Sequence, residues 1–464
     1  MYQLSKTINK DKIFIIKKSE IDGRLDPKMA LYNQNVQHAL YSIVKLKSLL
    51  LSKPQYGANE ASIARDNNDQ PRYIRITDID ENGLISPDEL GATVANLDDK
   101  YILNENDIVI ARSGATVGKA YIHKNLPYTC VYAGYLIRFI VDSKKILPDY
   151  LFAYTQLNTY KEWVNAIQRP SAQPNINAEE YQSLEIPLPN LSKQQEIVDY
   201  INEAYTQKRA KEVEAQQLLD SIDDYLLKEL GITMPEIKTD IGSRMFFVQR
   251  SELKGRYTPG LYKDAISLHS TIYDNIPLSH LAYINPNTRL PYKDENMMIS
   301  FIPMESVNEI YAEINDNKNC IVVESKGFTR FQEGDLLWAK ITPCMENGKS
   351  AIAKDLINGY GCGSTEFHVI RPKNNDLLVG YIHSLLHMRI VRQTAKLYFG
   401  GSAGQQRVAT DFLETFNVPL PSKTKQQEIV DYITNIQTRA KALQAEGKAI
   451  LEDAKLKVEK MIIE

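Results

Sequence analysis

The stretch PLPNLSKQQEIVDYI, residues 187–201, returns near the other end of the chain as PLPSKTKQQEIVDYI, residues 419–433. The offset is 232 residues, half of the 464-residue length. Extended by one residue, the copies agree at twelve of sixteen positions, including the unbroken run KQQEIVDYI. The openings of the two halves match in the same way. KKSEIDGRLDP (17–27) lies over VQRSELKGRYTP (248–259), pairing Arg24 with Arg256 and Pro27 with Pro259. The middles diverge but share landmarks: LNENDIVIAR against FQEGDLLWAK, Gly-Lys at 118–119 and 348–349, and PSAQPN against GSAGQQR. Two copies of this size form a tandem of whole modules, not a solenoid.

The repeated edge reads as a helix start. Pro187 and Pro189 hold the preceding chain extended. Ser192 with Gln195, and Thr424 with Gln427, fit a capping box. Apolar or small residues then recur at helical spacing, from Ile197, Ile201 and Ala204 to Leu226, and from Ile429, Ile433 and Ile436 to Met461. Gly231 closes the first helix as a C′ residue. Each helix is expected to run roughly 38–40 residues, or roughly 57–60 Å. A single apolar stripe of that length needs a partner, and its duplicate, antiparallel about a pseudo-twofold axis, is the natural one. The alternative is that each helix packs on its own module.

Within each module, residues 28–52 read as a helix, followed by short strand-like runs at 72–77, 107–114, 119–123 and 135–141. Their counterparts are 298–304, 335–342, 349–354 and 366–372, and helices follow at 149–168 and 377–397. The expected class is mixed α/β with a small, largely antiparallel sheet.

Composition bounds the chemistry. Apolar residues make up 43% and charged residues 24%, as in a soluble globular protein. There is no apolar run of membrane-crossing length and no signal-peptide pattern at the N-terminus. Cytoplasm is therefore the expected location. Cys130, Cys320, Cys344 and Cys362 show no CxxC spacing and read as reduced, buried residues. The net charge of −3 argues against a free-standing, non-specific nucleic-acid binder, though not against a local basic face. SGATVGKA fails as a phosphate loop: Gly114 and Gly118 enclose three residues rather than four, and Ala120 replaces the hydroxyl. A tight turn exposing Lys119 or Lys349 fits better. No methyltransferase, nuclease, GxSxG, HExxH or zinc pattern stands out, so neither a catalytic residue nor a metal site is assigned.

Two divergent modules, each followed by PLP…QQEIV and a long helix, resemble the specificity (S) subunits of type I restriction–modification systems, the HsdS family. The resemblance covers essentially the whole chain. It implies target recognition domains over 1–190 and 232–421, with conserved long helices over 191–231 and 422–464 forming an antiparallel coiled-coil spacer. It also implies a non-catalytic subunit that binds double-stranded DNA and two methyltransferase (M) subunits, and works with restriction (R) subunits where these exist. S-adenosylmethionine, ATP and magnesium belong on those partners. Each module would read one half of a bipartite, asymmetric site, and the helix length would set the gap between halves. The competing class is a coiled-coil scaffold joining two protein-binding modules without DNA.

DNA-reading candidates follow from polar loop residues matched between modules. The turn after the shared strand offers Arg112, Ser113, Thr116 and Lys119, matched by Lys340, Thr342, Asn347 and Lys349. The loop before the long helix offers Arg169, Ser171, Gln173 and Asn175, matched by Ser402, Gln405, Gln406 and Arg407.

Overall fold

The computed structural model describes residues 28–29, 32, 40–86, 90–168, 174–233, 268–290, 296–401 and 405–463. The matched openings around Arg24 and Arg256 lie outside these residues, as does most of 30–39. The chain forms two compact units, 1–211 with 445–464, and 212–444. Both divisions fall inside a long helix.

The first unit runs β1 (Ile43–Lys45), β2 (Gln55–Tyr56), β3 (Ser62–Ala64), β4 (Arg72–Ile74), β5 (Ala92–Val94), β6 (Ile108–Ala111), β7 (Ala120–Ile122), β8 (Cys130–Tyr132) and β9 (Leu136–Phe139). Helices α1 (Pro148–Thr155), α2 (Asn158–Ile167) and α3 (Ala178–Gln182) follow, then β10 (Glu185–Pro187) and the start of α4 (Leu191–Glu229). The strands make two four-stranded sheets, β2-β9-β6-β7 and β3-β5-β4-β8, beside a β1–β10 ribbon. The expected helix over 28–52 is corrected at its C-terminal part. Residues 43–45 are a strand and 46–49 a 3-10 turn, because Leu46 and Leu49 enter the core while β1 pairs with β10. The single expected sheet is also corrected to two, each mostly antiparallel; in the β3–β8 sheet only β4 and β8 run parallel.

The second unit repeats the scheme with β11 (Asn275–Pro277), α5 (Leu278–Leu281), β12 (Ala282–Ile284), β13 (Met298–Ile302), β14 (Lys318–Ile321), β15 (Thr329–Gln332), β16 (Leu336–Ala339), β17 (Ser350–Ile352), β18 (Tyr360–Gly363) and β19 (Phe367–Pro372). It continues through α6 (Val379–His387), α7 (Arg389–Lys396), β20 (Phe399–Gly400), β21 (Arg407–Val408), α8 (Thr410–Thr415), β22 (Asn417–Pro419) and the start of α9 (Lys423–Ile463). Sheet β12-β19-β16-β17 matches β2-β9-β6-β7 in order. The other sheet keeps a common three-strand core, β5-β4-β8 and β14-β13-β18, with one antiparallel and one parallel pair in each. It differs in its fourth strand, β3 beside β5 in the first unit and β15 beside β18 in the second.

The shared words of the sequence are joints. The Pro187 carbonyl, ending β10, accepts from the Tyr150 hydroxyl at 2.7 Å, and the Pro419 carbonyl from Tyr381 at 2.6 Å. The first glutamine of QQEIV is fully buried in both copies. Gln194 accepts from Leu147 N–H at 2.8 Å and donates to the carbonyls of Pro189 and Lys145 at 2.9 and 3.2 Å. Gln426 accepts from Leu378 N–H at 2.8 Å and donates to Asp376 and Pro421 at 2.7 and 3.0 Å. Each amide thus fastens the start of a long helix to the segment before α1 or α6. The expected capping boxes are corrected. Asn190 caps α4 by accepting from Lys193 N–H at 2.9 Å, and Ser422 caps α9 by accepting from Lys425 N–H at 3.3 Å. Gln195 and Gln427 face outward and pair with Asp199 and Asp431 one turn on.

The long helices are 39 and 41 residues. In the first unit Ile197, Ile201 and Ala204 of α4 share a core with Leu451, Ala454 and Val458 of α9 and with α1 and α2. In the second, Leu226 of α4 meets Ile429 and Ile433 of α9 beside Tyr381 and Leu385. Within each unit the start of one helix lies against the end of the other, so they run antiparallel. The stripe serves both expected partners at once, its duplicate and its own module. Close approach in the first unit uses Gly447, where a Cβ would sit 3.2 Å from the Lys208 carbonyl. At the end of α4, Gly231 (φ +58°) donates to Lys228 and Ile232 to Leu227, a Schellman closure.

Burial lowers the pKa of His123, His368, His383 and His387. Desolvation, before any charge effect, lowers His383 to about 3, and His387 and His123 to about 4. Unfolded histidines protonate near pH 6.5. Above that pH both states are neutral and nothing is gained or lost. Below it the unfolded chain binds more protons, so stability falls as pH drops from about 6.5 towards 4. The unfolding midpoint should therefore fall between pH 7 and pH 5, and His387→Leu should fall less. An identical drop in the variant would show that this histidine does not contribute.

Candidate nucleic-acid interface

The candidate interface is built on the turn that joins β6 to β7, and β16 to β17, in the shared sheet. In the first unit the LNEND segment makes a tight turn with Asn106 at φ +72°. Asp107 then accepts from Asn104 N–H at 2.9 Å and lies 3.5 Å from Arg138 of β9. Burial pushes the Asp107 carboxyl up, opposed by that N–H and by Arg138. In the second unit Asp335 accepts from Gln332 N–H at 2.8 Å and takes a fork from Arg371 of β19, both bonds 2.7 Å. This buried pair explains the shared NEND and QEGD landmarks and locks β6 to β9 and β16 to β19.

The opposite ends of β6 and β16 carry the candidate residues. Ser113 bridges Asn175, Gly114 N–H donates to Pro174, and Ile176 N–H donates to Arg112. In the second unit Ile341 bridges Arg407, Thr342 N–H donates to Gln406, and Val408 N–H donates to Lys340. The fold thus brings the strand-turn and the pre-helix loop, 60 to 68 residues apart in sequence, to one place in each unit. Arg169, Ser171, Gln173 and Ser402 lie outside the described residues.

Individual placements differ. The Arg112 guanidinium stacks 4.8 Å over the Tyr56 ring, and Thr116 and Asn175 are exposed. Gly118 and Gly348 take φ near +90°, and a Cβ there would meet Val164 or His387 at 2.8 Å. The lysines that follow them are half-buried, not exposed as expected. Lys119 donates to the Ile79 carbonyl, and Lys349 to Met304 at 3.3 Å. After both Gly-Lys turns the chain enters a strand, not the helix a phosphate loop requires.

In the second unit Thr342 donates to Glu346, and the exposed Asn347 reaches Glu309 at 3.4 Å. Gln405 is exposed and Gln406 half-buried. Arg407 grips Glu366 through Nε and Nη2, as close as 2.7 Å, and this holds the Glu366 carboxyl below its usual range. Lys340 lines a cleft of about 440 Å³ with Asn285–Thr288 and Gly327–Arg330, none of which is among the candidates drawn from the sequence. The missed signal was divergence between the copies: GFTR (327–330) stands where the first half has DKYI (99–102).

All four cysteines are free, but only Cys130 and Cys362 are buried; Cys320 and Cys344 are half-buried, which corrects the expectation for those two. Among the described residues no group of three or more His, Cys, Asp or Glu is placed to hold a metal ion, and no helix is long and apolar enough to cross a membrane.

The residue pattern of the family described as "Type I restriction modification DNA specificity domain" matches this chain twice, over 44–218 and 274–452. The chain belongs to that family. Each specificity-domain match spans one module and much of the long helix that follows it. The specificity subunit of the type I restriction enzyme EcoEI of Escherichia coli is 34% identical over 188 residues, 40% of this chain and 31% of that protein. The EcoAI specificity subunit, also of Escherichia coli, is 33% identical over 190 residues, with the same two shares. The chain thus aligns with about a third of the length of these curated relatives. A chain solved in work on complex assembly and conformational transition of the type I R-M system is 15% identical, with a TM-score of 0.48. That alignment covers 90% of this chain and 96% of the other.

Proposed function

We propose that this chain is the sequence-reading subunit of a type I restriction–modification assembly in the cytoplasm. It directs adenine methylation by two M subunits and cleavage by R subunits, and is itself without a catalytic site. The observation that carries this reading is the contrast within the duplication. The family pattern occurs twice, with near-identical edges at 186–201 and 418–433 and unlike centres. Identical edges suit identical partners, and unlike centres suit the two halves of an asymmetric site. In each unit the polar turn and the pre-helix loop come together on rigid strands, where loop side chains reach base edges and phosphates. The M subunits extrude the target adenine and hold S-adenosylmethionine, while ATP and magnesium act on the R subunits.

The test is to sequence genomic DNA at single-molecule resolution from cells with the M subunit, with and without this chain. A methylated-adenine motif in two parts with a fixed gap, present only with the chain, is the expected result. Binding of the complex to that duplex should weaken steeply with salt. A stable complex with M that yields no new motif and no salt-sensitive duplex binding would instead support the scaffold reading.

A further inference from the structure

Two cavities in the second unit differ in charge, and the difference selects one. The larger, about 730 Å³, is lined by Asp223, Glu313, Asp316 and Asp355 against Lys354 and Lys441. Four carboxylates and two ammonium groups repel a polyanion. The smaller cleft, about 440 Å³, is lined by Arg330 and Lys340 with no carboxylate, and by Asn287, Thr329 and the 42% exposed ring of Phe328. That mixture of two cations, amide, hydroxyl and one open aromatic is what a DNA groove edge is read by.

The cleft is held rigid and joined to the interface already described. Asn285 stands at φ +52°, its side-chain carbonyl accepting from Val369 N–H at 3.0 Å and its amide 3.0 Å from His368 Nδ1. His368 Nε2 lies 2.9 Å from the Val408 carbonyl, so the ring carries its proton on Nε2 and accepts on Nδ1. The relay ties the Asn285–Thr288 wall to β21, where Arg407 grips Glu366. Thr288 is fixed by Arg371 at 2.8 Å. The Phe328 ring packs edge-on against Phe301, with centroids 5.1 Å apart. Asn287, between these anchored neighbours, is exposed. The first unit is built otherwise: after β2 the chain continues into β3, which pairs with β5.

We propose that this cleft is the base-reading site of the second module, in which Asn287 meets a base edge and Lys340 a backbone phosphate of one half-site. The inference rests on the DNA-recognition reading and locates it. Asn287 determines specificity; Lys340 positions the duplex; His368 and Asn285 are positioning residues that keep the wall in place.

The test uses the full chain in complex with its M subunit, carrying Asn287→Ala or Lys340→Gln. Readouts are the methylated motif and duplex binding across a salt series. Asn287→Ala should make one or two positions of a single half-site degenerate and weaken the original site on the order of tenfold, leaving the other half-site unchanged. Lys340→Gln should keep the motif and reduce the salt slope by about 1. If the unmodified complex reads a bipartite site and both variants match it in motif, affinity and slope, the cleft proposal fails while the DNA reading stands. Equal loss of both half-sites would also overturn it, because the cleft would then serve assembly. If the unmodified complex neither binds duplex nor creates a motif, the DNA-recognition reading fails and takes this proposal with it.

Discussion

Replacing Arg371 with methionine is expected to destabilise the second unit by about 3 kcal/mol, near the lower end of the cost of breaking a buried ion pair. Asp335 is 1% exposed and Arg371 22% exposed, so the acid depends on its partner more than the base does. Methionine keeps the bulk of the stem but leaves a buried carboxylate held by the Gln332 N–H in place of the guanidinium fork. Asp335→Leu combined with Arg371→Met should recover much of the loss, since an apolar pair of similar volume replaces both charges. Hydrogen exchange should accelerate in β16 and β19, whose pairing the ion pair spans. The same single variant frees Thr288 and should blur the half-site that the neighbouring cleft reads. Unchanged exchange in β16 and β19 would show that the fork adds nothing the ladder lacks.

Gln426→Leu is expected to be as damaging, about 2–4 kcal/mol. The side chain is 1% exposed and makes three hydrogen bonds to backbone groups. Leucine fills the space but strands the Leu378 N–H and two carbonyls, each about 1–3 kcal/mol if left unsatisfied, with partial relief by relaxation. Gln426→Glu tests the polarity of the joint. A carboxylate still accepts from Leu378 but faces the carbonyls of Asp376 and Pro421, so it should not rescue. Gln194 makes the equivalent three bonds in the first unit and should show a parallel loss. A fall of less than 1 kcal/mol in either unit, by denaturant midpoint, would refute the joint as a stabilising element.

The long helices were legible because an apolar stripe at helical spacing has few other uses over about forty residues. Each cap was misplaced by two residues. Asn190 and Ser422, not Ser192 and Thr424, hold the first free N–H groups, and several residues near a helix start can satisfy the same spacing rule. The 28–52 reading failed over 43–49 because a short apolar run does not distinguish a strand from a helix. The pairing of β1 with β10, about 140 residues on, decided it.

The sequence by itself determined the duplication, the mixed α/β class, the two long helices and the family resemblance, since these follow from identity and periodicity along the chain. Only the tertiary structure decided what the repeated words do. It set Gln194 and Gln426 as buried joints and paired Asp107 with Arg138 and Asp335 with Arg371. It also turned Lys119 and Lys349 towards carbonyls and brought Asn287 beside Lys340. Each of these depends on which groups, distant along the chain, the fold brings close to a side chain. That proximity is set by sheet register and packing, and no local pattern in the chain encodes it.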